Sequence, residues 1–285
     1  MTSVSAVVPN RNGAGLVGRC VEAALAGAVD EVVVVDDSST DDSAEEARAA
    51  GATVLPSAVR GFSAAVNTGV AAAGGNLLLI LNSDCFVEPD AVPRLAATLA
   101  RDPRVGAAAA ALHDEDGRPT KSHGHELTLW RAVRAAASVG SSSPPAAESG
   151  VQKVSFAPLA CMLVPRVVWD DVGGLDERYA FYFEDYDFCW RLRRSGRGLV
   201  VDWDARALHV GGGSSHQRDP QRWFRQFHES RALYVRKRYP RAWPLYAAVW
   251  VPSAAAHALL WLARRQPQSR LWARAYAQSA FAGLR

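Results

Sequence analysis

Glu31–Ser43 reads EVVVVDDSSTDDS: four valines behind a glutamate, then two aspartates and a polar turn. An unbroken β-branched run of this length suits a strand covered on both faces of a parallel sheet. Acidic and hydroxyl residues at its carboxyl end suit a ligand-facing loop. Upstream, Val4–Val8 is a second such run, ending at Pro9. Between the two runs Leu16, Cys20, Ala23, Ala24 and Ala26 follow helical spacing until Gly27 stops it. The three segments make a β-α-β unit. Outward from it the alternation continues: helix over Ser43–Ala50, strand over Thr53–Leu55, helix over Phe62–Ala73, strand over Leu77–Leu81, helix over Pro89–Ala100, strand over Val105–Leu112. The pattern predicts an α/β sandwich whose ligand site lies at the carboxyl ends of the strands.

Beyond Leu112 the rhythm loosens. His113–Glu126 is polar and carries His113, His123 and His125, without a strand or helix frame that would make them a metal site. The Ser/Pro/Ala-rich stretch Gly140–Gly150 reads as a loop of the kind that covers sites. Val151–Val164 resumes an apolar pattern, Glu184–Ser195 reads as a helix closed by Gly196, and Leu199–Val201 and Ala205–Val210 read as strands. From Pro220 onward the chain is helical and basic, broken at Pro240 and Pro244, and residues 242–263 carry no charge.

At 285 residues with 49% hydrophobic and 21% charged side chains, the composition is globular and excludes both intrinsic disorder and a polytopic membrane protein. The formal charge of +3 conceals an uneven split. Residues 217–285 hold 13 Arg or Lys against only Asp219 and Glu229, whereas residues 1–216 hold 19 basic against 27 acidic side chains. We therefore divide the chain into an acidic body, 1–216, and a basic helical region, 217–285, whose charge suits an anionic surface. Cys20, Cys85, Cys161 and Cys189 are scattered without a CxxC pair, as reduced core thiols are. The start, MTSVSAVVPN, lacks the basic and apolar regions of a signal peptide, so a cytoplasmic location is expected.

The chemistry-bearing residues collect at predicted strand ends. Asp36 and Asp37 follow EVVVV, Asp84 follows LLLILNS, Glu184, Asp185 and Asp187 lie in FYFEDYDF, and His209 ends a strand before Gly211–Gly213. With these in place, VSAVVPNRN, VVVVDDSSTDDS, RGFSAAVNTG, LLLILNSD, GGLDERYAFYFEDYDFCWRLRRSG and ARALHVGGGSS occur in an order that resembles family 2 glycosyltransferases of the GT-A fold, and within them the bacterial rhamnosyltransferase-like branch. The resemblance covers roughly residues 3 to 216. It implies a Rossmann-like nucleotide-diphosphosugar transferase sandwich, here with a helical C-terminal extension.

The resemblance also implies roles. Pro9, Asn10 and Arg11 correspond to the first-strand loop that packs on the nucleotide, and Arg60, Gly61, Phe62 and Asn67 to the segment lining base and ribose. Asp36 matches the aspartate that accepts the base N3–H, a donor shared by uracil and thymine, so a UDP- or dTDP-linked sugar is implied. The Asp-x-Asp-like metal motif reads Asn82-Ser83-Asp84. Asp84 keeps the carboxylate for Mg²⁺ or Mn²⁺, Asn82 and Ser83 stand beside the nucleotide, and His209 resembles the additional metal ligand. Asp185 corresponds to the general base, with Glu184 orienting the acceptor; both begin a helix, whose dipole favours the charged carboxylate.

Several neighbours keep two readings. Asp37 caps the next segment with Ser38 and Ser39; Trp190, Arg191, Arg193 and Arg194 meet the diphosphate or form pairs such as Asp187 with Arg191. Gly211–Gly213 with Ser214, Ser215 and His216 wrap phosphate or merely link. Phe156–Cys161 departs from the small, Gly-containing pattern of the family.

The expectation is thus an inverting, metal-dependent transferase moving a sugar, L-rhamnose from dTDP-rhamnose, to a cell-surface glycan or lipid-diphosphate acceptor. The alternatives are a UDP-sugar donor (hexose, N-acetylglucosamine or galactofuranose) and a non-catalytic membrane-surface adaptor on a degenerate transferase fold. The C-terminal Trp, Tyr and Arg residues suit helices at the inner face of the cell membrane or a homodimer interface. The basic residues flank a long uncharged segment and no recognition motif, which argues against nucleic acid.

Overall fold

A computed structural model describes residues 2–120, 122–137, 149–179, 181–211, 220–264, 266 and 268–282. The chain divides into two compact units. One comprises Met1–Glu126, Pro144–Arg178 and Glu184–His216; the other comprises Leu127–Ser143, Tyr179–Phe183 and Gln217–Arg285. The second unit thus draws two segments from within the first 216 residues.

The first unit is built on a mixed sheet. Its first half follows the alternation in the sequence: β1 (Val4–Asn10), α1 (Val17–Ala26), β2 (Glu31–Asp36), α2 (Ser43–Ala49), β3 (Thr53–Pro56), α3 (Phe62–Ala72) and β4 (Leu77–Leu81). The valines of β2 are buried on both faces of the sheet, as an unbroken apolar run requires. β1 pairs in parallel with β2 and β4, and β2 in parallel with β3. The chain therefore runs outward from β1 to β3 and returns to place β4 on the other side of β1, a switch point whose carboxyl edge forms a crevice.

The second half departs from simple alternation. The elements are β5 (Cys85–Val87), α4 (Ala91–Arg101), β6 (Val105–His113), β7 (Val151–Val154), β8 (Cys161–Pro165), α6 (Arg166–Val172), α7 (Glu184–Arg194) and β9 (Gly198–His209), with α5 (Leu129–Ala137) in the second unit. Among the described residues the sheet runs β3-β2-β1-β4-β8-β6-β9-β5, with β7 also on β9. β8 lies antiparallel to both β4 and β6, so the sheet is mixed. The two strands expected around 199–210 are one 12-residue strand, because β9 carries Asp202–Asp204 through a register shift against β6 between Ala110 and Ala111. Its two halves serve different partners: the first pairs β7, the second β5. Residues 140–148 of the expected covering loop, and 212–216 of the glycine-serine run, lie outside the described residues.

The four cysteines are free and buried, and burial holds the Cys189 thiol up at about 12. Asp187 is buried and pairs with Arg191 at 2.7 Å, the second of the two readings given for Arg191.

The second unit is helical: α5, α8 (Pro220–Arg238), a 3₁₀ turn at Pro240–Ala242, α9 (Trp243–Ala263) and α10 (Ser269–Ala282). Pro244 does not break α9; it sits in the first turn, where the missing N–H has no intrahelical partner to lose. His228 is buried, stacked on Trp250 with ring centroids 4.2 Å apart, and Arg231 lies 4.5 Å over the same indole. Burial, reinforced by Arg231, pushes the His228 imidazole down to about 2, so it is neutral at physiological pH. Leu259 and Leu260, by contrast, are 67% and 59% exposed on α9. Pro240–Ala263 is long and apolar enough, by length and composition, to cross a membrane.

Candidate active site

Asn10 ends β1 and Asp36 ends β2, directly opposite each other in register. The Asn10 amide donates to Asp36 Oδ1 at 3.2 Å and to Ser43 Oγ at 2.9 Å. Ser39 closes the turn after β2: its N–H donates to Asp36 Oδ2 at 3.0 Å, and its hydroxyl donates to Asp36 Oδ1. A carboxylate held by three donors keeps its orientation and its acceptor character. The sequence groups Ser39 with Asp37, whereas the structure places it on Asp36, in an Asp-x-x-Ser turn.

Asp37 does not cap the next segment. It is 9% exposed and takes Arg11 at 3.4 Å, and the carboxylate bonded to Ser43 at the head of α2 is Asp41 instead. Asn10 Oδ1 and Asp37 Oδ1 are buried with no hydrogen-bond partner among the described residues. Gly13 lies against this corner: a Cβ there would collide with Asn10 Oδ1 and meet Ser83 Oγ at 3.5 Å. The β1 loop therefore approaches both Asn10 and the Asn82-Ser83-Asp84 segment, and a side chain at Gly13 would have to displace the Asn10 amide.

The second edge of the site is set by sheet register. β5 opens immediately after Asp84, and Cys85 pairs with His209 at the end of β9. Val210 N–H donates to Asp84 O at 3.1 Å, so the two backbones are tied at this point. The side chains follow: His209 Nε2 lies 3.3 Å from Asp84 Oδ1 and 3.4 Å from Asn82 Nδ2. Asp84 and His209 lie far apart in sequence and meet only because β5 is antiparallel to β9.

This donor set fits a hard divalent cation in one specific way. A carboxylate and an imidazole are two ligands, and no group of three or more His, Cys, Asp or Glu that would form a closed cage occurs among the described residues. Mg²⁺ and Mn²⁺ sites that take one or two protein ligands are completed by substrate phosphate and water. The three histidines of the polar segment do not join it; His123 packs edge-on against Trp203 and His113 Nδ1 lies 3.2 Å from Ala111 O.

Glu184 and Asp185 occupy the first turn of α7. Glu184 is 6% exposed and Asp185 is half-buried, with Oδ1 accepting the Tyr186 N–H at 2.7 Å. Tyr182 and Phe183, just before them, both adopt positive φ (67° each), a left-handed geometry that costs a non-glycine residue roughly 1 kcal/mol or more. Tyr186 stacks on Phe156 at 3.9 Å, and Phe156, from the segment that departs from the family pattern, is buried in the core. The arginines of α7 engage protein groups: Arg191 with Asp187, Arg193 with Glu126 at 3.1 Å, and Arg194 over Trp190.

The α3 segment is placed differently. Arg60 is exposed, Gly61 takes φ 133° as the residue before α3, and Phe62 is half-buried against the core. Asn67 clamps the 174–177 turn: its amide donates to Leu175 O and Glu177 Oε1 at 2.8 and 2.9 Å, and its oxygen accepts the Leu175 N–H at 2.9 Å. Pro9 stands in β1, paired with Val35.

Residues 5–144 match the model of Glycosyl transferase family 2. An N-acetylglucosaminyl-diphospho-decaprenol L-rhamnosyltransferase of Mycobacterium tuberculosis is 28% identical over 176 residues, which is 58% of this chain and 57% of that protein. The chain thus matches little more than half the length of that relative. Among solved structures, a mannosyltransferase from Pyrobaculum calidifontis, in complex with GDP-Man and Mn²⁺, superposes with a TM-score of 0.58 at 18% identity, covering 99% of this chain and 85% of that one. GalNAc-T7 with UDP, GalNAc and Mn²⁺ superposes with a TM-score of 0.61 at 14% identity, covering 97% of this chain and 54% of that one. The resemblance to family 2 glycosyltransferases and the GT-A fold expected from it are both borne out.

Proposed function

We propose that this family 2 glycosyltransferase-like chain is a metal-dependent inverting transferase that moves L-rhamnose from dTDP-rhamnose to a glycan or lipid-linked diphosphate acceptor. The observation that carries the reading is the pairing of Asp84 with His209 at 3.3 Å on one edge of the switch-point crevice, whose other edge holds the oriented Asp36. The rhamnosyl donor and lipid-diphosphate acceptor follow the name of the M. tuberculosis relative.

In this mechanism Asp36 accepts the N3–H of the base, held for it by Ser39 and Asn10, while Pro9, Arg11, Arg60, Gly61 and Phe62 surround the nucleoside. Asn67 contributes through its clamp on residues 175–177. Asp84 and His209 would hold Mg²⁺ or Mn²⁺, with Asn82 and Ser83 beside the diphosphate; the ion, when bound, neutralises charge on the leaving group. Asp185 takes the proton of the acceptor hydroxyl as its oxygen bonds to the anomeric carbon, and the bond to the diphosphate oxygen breaks. Glu184 orients the acceptor. A single displacement of this kind inverts the anomeric centre.

Calorimetric titration with dTDP, UDP and GDP in the presence of Mn²⁺ tests the base assignment. We expect dTDP and UDP to bind at least roughly tenfold more tightly than GDP, because guanine lacks the N3–H that Asp36 receives. Tightest binding of GDP would remove Asp36 from this role.

The catalytic domain is proposed as residues 1–216 and the membrane-facing region as 217–285. The exposed Leu259 and Leu260 on an uncharged helix, with Arg241 and Arg264 at its ends, suit an anionic bilayer surface. Leu259→Glu with Leu260→Glu in the full chain should lower flotation with phosphatidylglycerol vesicles by roughly tenfold. Equal flotation of the variant and the parent would dismiss the membrane contact.

A further inference from the structure

A cavity of about 730 Å³ lies in the first unit at the amino ends of β6 and β9, where Val105 pairs with Gly198. His209 ends the same 12-residue strand, so this cavity is on the order of 30 Å from the Asp84–His209 pair. Its polar lining is cationic: Arg101, Arg104, Lys153, Arg193 and Arg197, against one carboxylate, Asp102. That concentration stands in a body, residues 1–216, where acidic side chains outnumber basic ones 27 to 19.

Internal pairing accounts for part of it. Arg104 grips Asp102 through two 2.9 Å bonds, and Arg193 pairs with Glu126. Arg101, Lys153 and Arg197 have no carboxylate within ion-pair distance among the described residues; Arg197 is fixed by a 3.0 Å bond to Pro103 O. Helix dipoles explain another part, because Arg101 and Arg193 lie in the last turns of α4 and α7. Lys153 is on strand β7, where no helix end calls for a cation, and Arg197 follows the Gly196 stop of α7, its N–H donating to Leu192 O at 3.3 Å. Gly106 lets the Arg197 stem pack so closely that a Cβ there would approach the Arg197 Cβ to 2.7 Å.

We propose that this cavity is a second anion site, which binds a phosphate-bearing ligand independently of the catalytic crevice. Guanidinium groups and an ammonium group converging on a concave surface match the charge and fork geometry of phosphate oxygens. Val105 and Leu199 line the same space and would face the uncharged part of the ligand.

The test is calorimetry of the full chain with inorganic tripolyphosphate at low ionic strength in EDTA, which leaves the metal-dependent crevice without its cation. The Arg101→Ala/Lys153→Ala variant should bind roughly tenfold or more weakly, while Arg101→Lys/Lys153→Arg retains binding. Both altered side chains are exposed, so the fold should persist. Binding that survives in the double alanine variant, or is absent from the parent, overturns the proposal. A parallel arm with phosphatidylglycerol vesicles identifies the source of the phosphate. Vesicle binding that falls with tripolyphosphate binding points to a lipid headgroup; unchanged vesicle binding with lost tripolyphosphate binding points to a soluble phosphate.

Discussion

Asp185→Asn should lower turnover by roughly a thousandfold while leaving dTDP affinity within about twofold. The amide preserves the size of the side chain and the acceptor oxygen that takes the Tyr186 N–H at 2.7 Å, so the first turn of α7 should survive. It removes only the capacity to accept a proton. Single-turnover kinetics with dTDP-rhamnose and a lipid-diphosphate acceptor, paired with nucleotide calorimetry, separates the two effects. Unchanged turnover would remove Asp185 as the base. A parent protein that binds nucleotide but transfers none of the donor sugars would favour the non-catalytic adaptor.

The second large effect is expected at the other edge. Asp84→Asn should weaken Mn²⁺ binding by at least about a hundredfold and lower kcat/KM by a similar factor, since a neutral amide is a poor ligand for a hard cation and His209 remains alone. Mn²⁺ titration followed by electron paramagnetic resonance reads the first quantity without activity. Mn²⁺ affinity equal to that of the parent would exclude Asp84 as a ligand. His209→Ala should act in the same direction with a smaller effect, because the charged carboxylate is retained.

Particular elements show where the sequence could be read. β1, β2 and β4 were legible because strands covered on both faces are written as unbroken apolar runs, and the helices between them carry their own periodicity and glycine stops. β5 was not, since three residues, Cys85–Val87, are too few for a period and gain their strand geometry only from pairing with β9. β9 itself was read as two strands, because Asp202 and Asp204 interrupt the apolar pattern. In the structure Asp202 is 5% exposed and accepts the Thr98 hydroxyl at 2.7 Å, a partner 104 positions away. Pro244 was read as a break, although its place in the first turn of α9 makes it compatible with the helix.

The site divides along the same line. The sequence by itself determined the residue types at the strand ends: Asp36 and Asp37 after a valine run, Asp84 after LLLIL, Glu184 and Asp185 at a helix start. Local pattern suffices there, because strand, turn and helix onset are each encoded within about ten residues. Only the tertiary structure decided which of them act together. Asp36 is oriented by Asn10 from a neighbouring strand, Asp37 goes to Arg11, and Asp84 meets His209 through an antiparallel register. Pairing across a sheet depends on the order and direction of strands far apart in the chain, and no local run of residues specifies either.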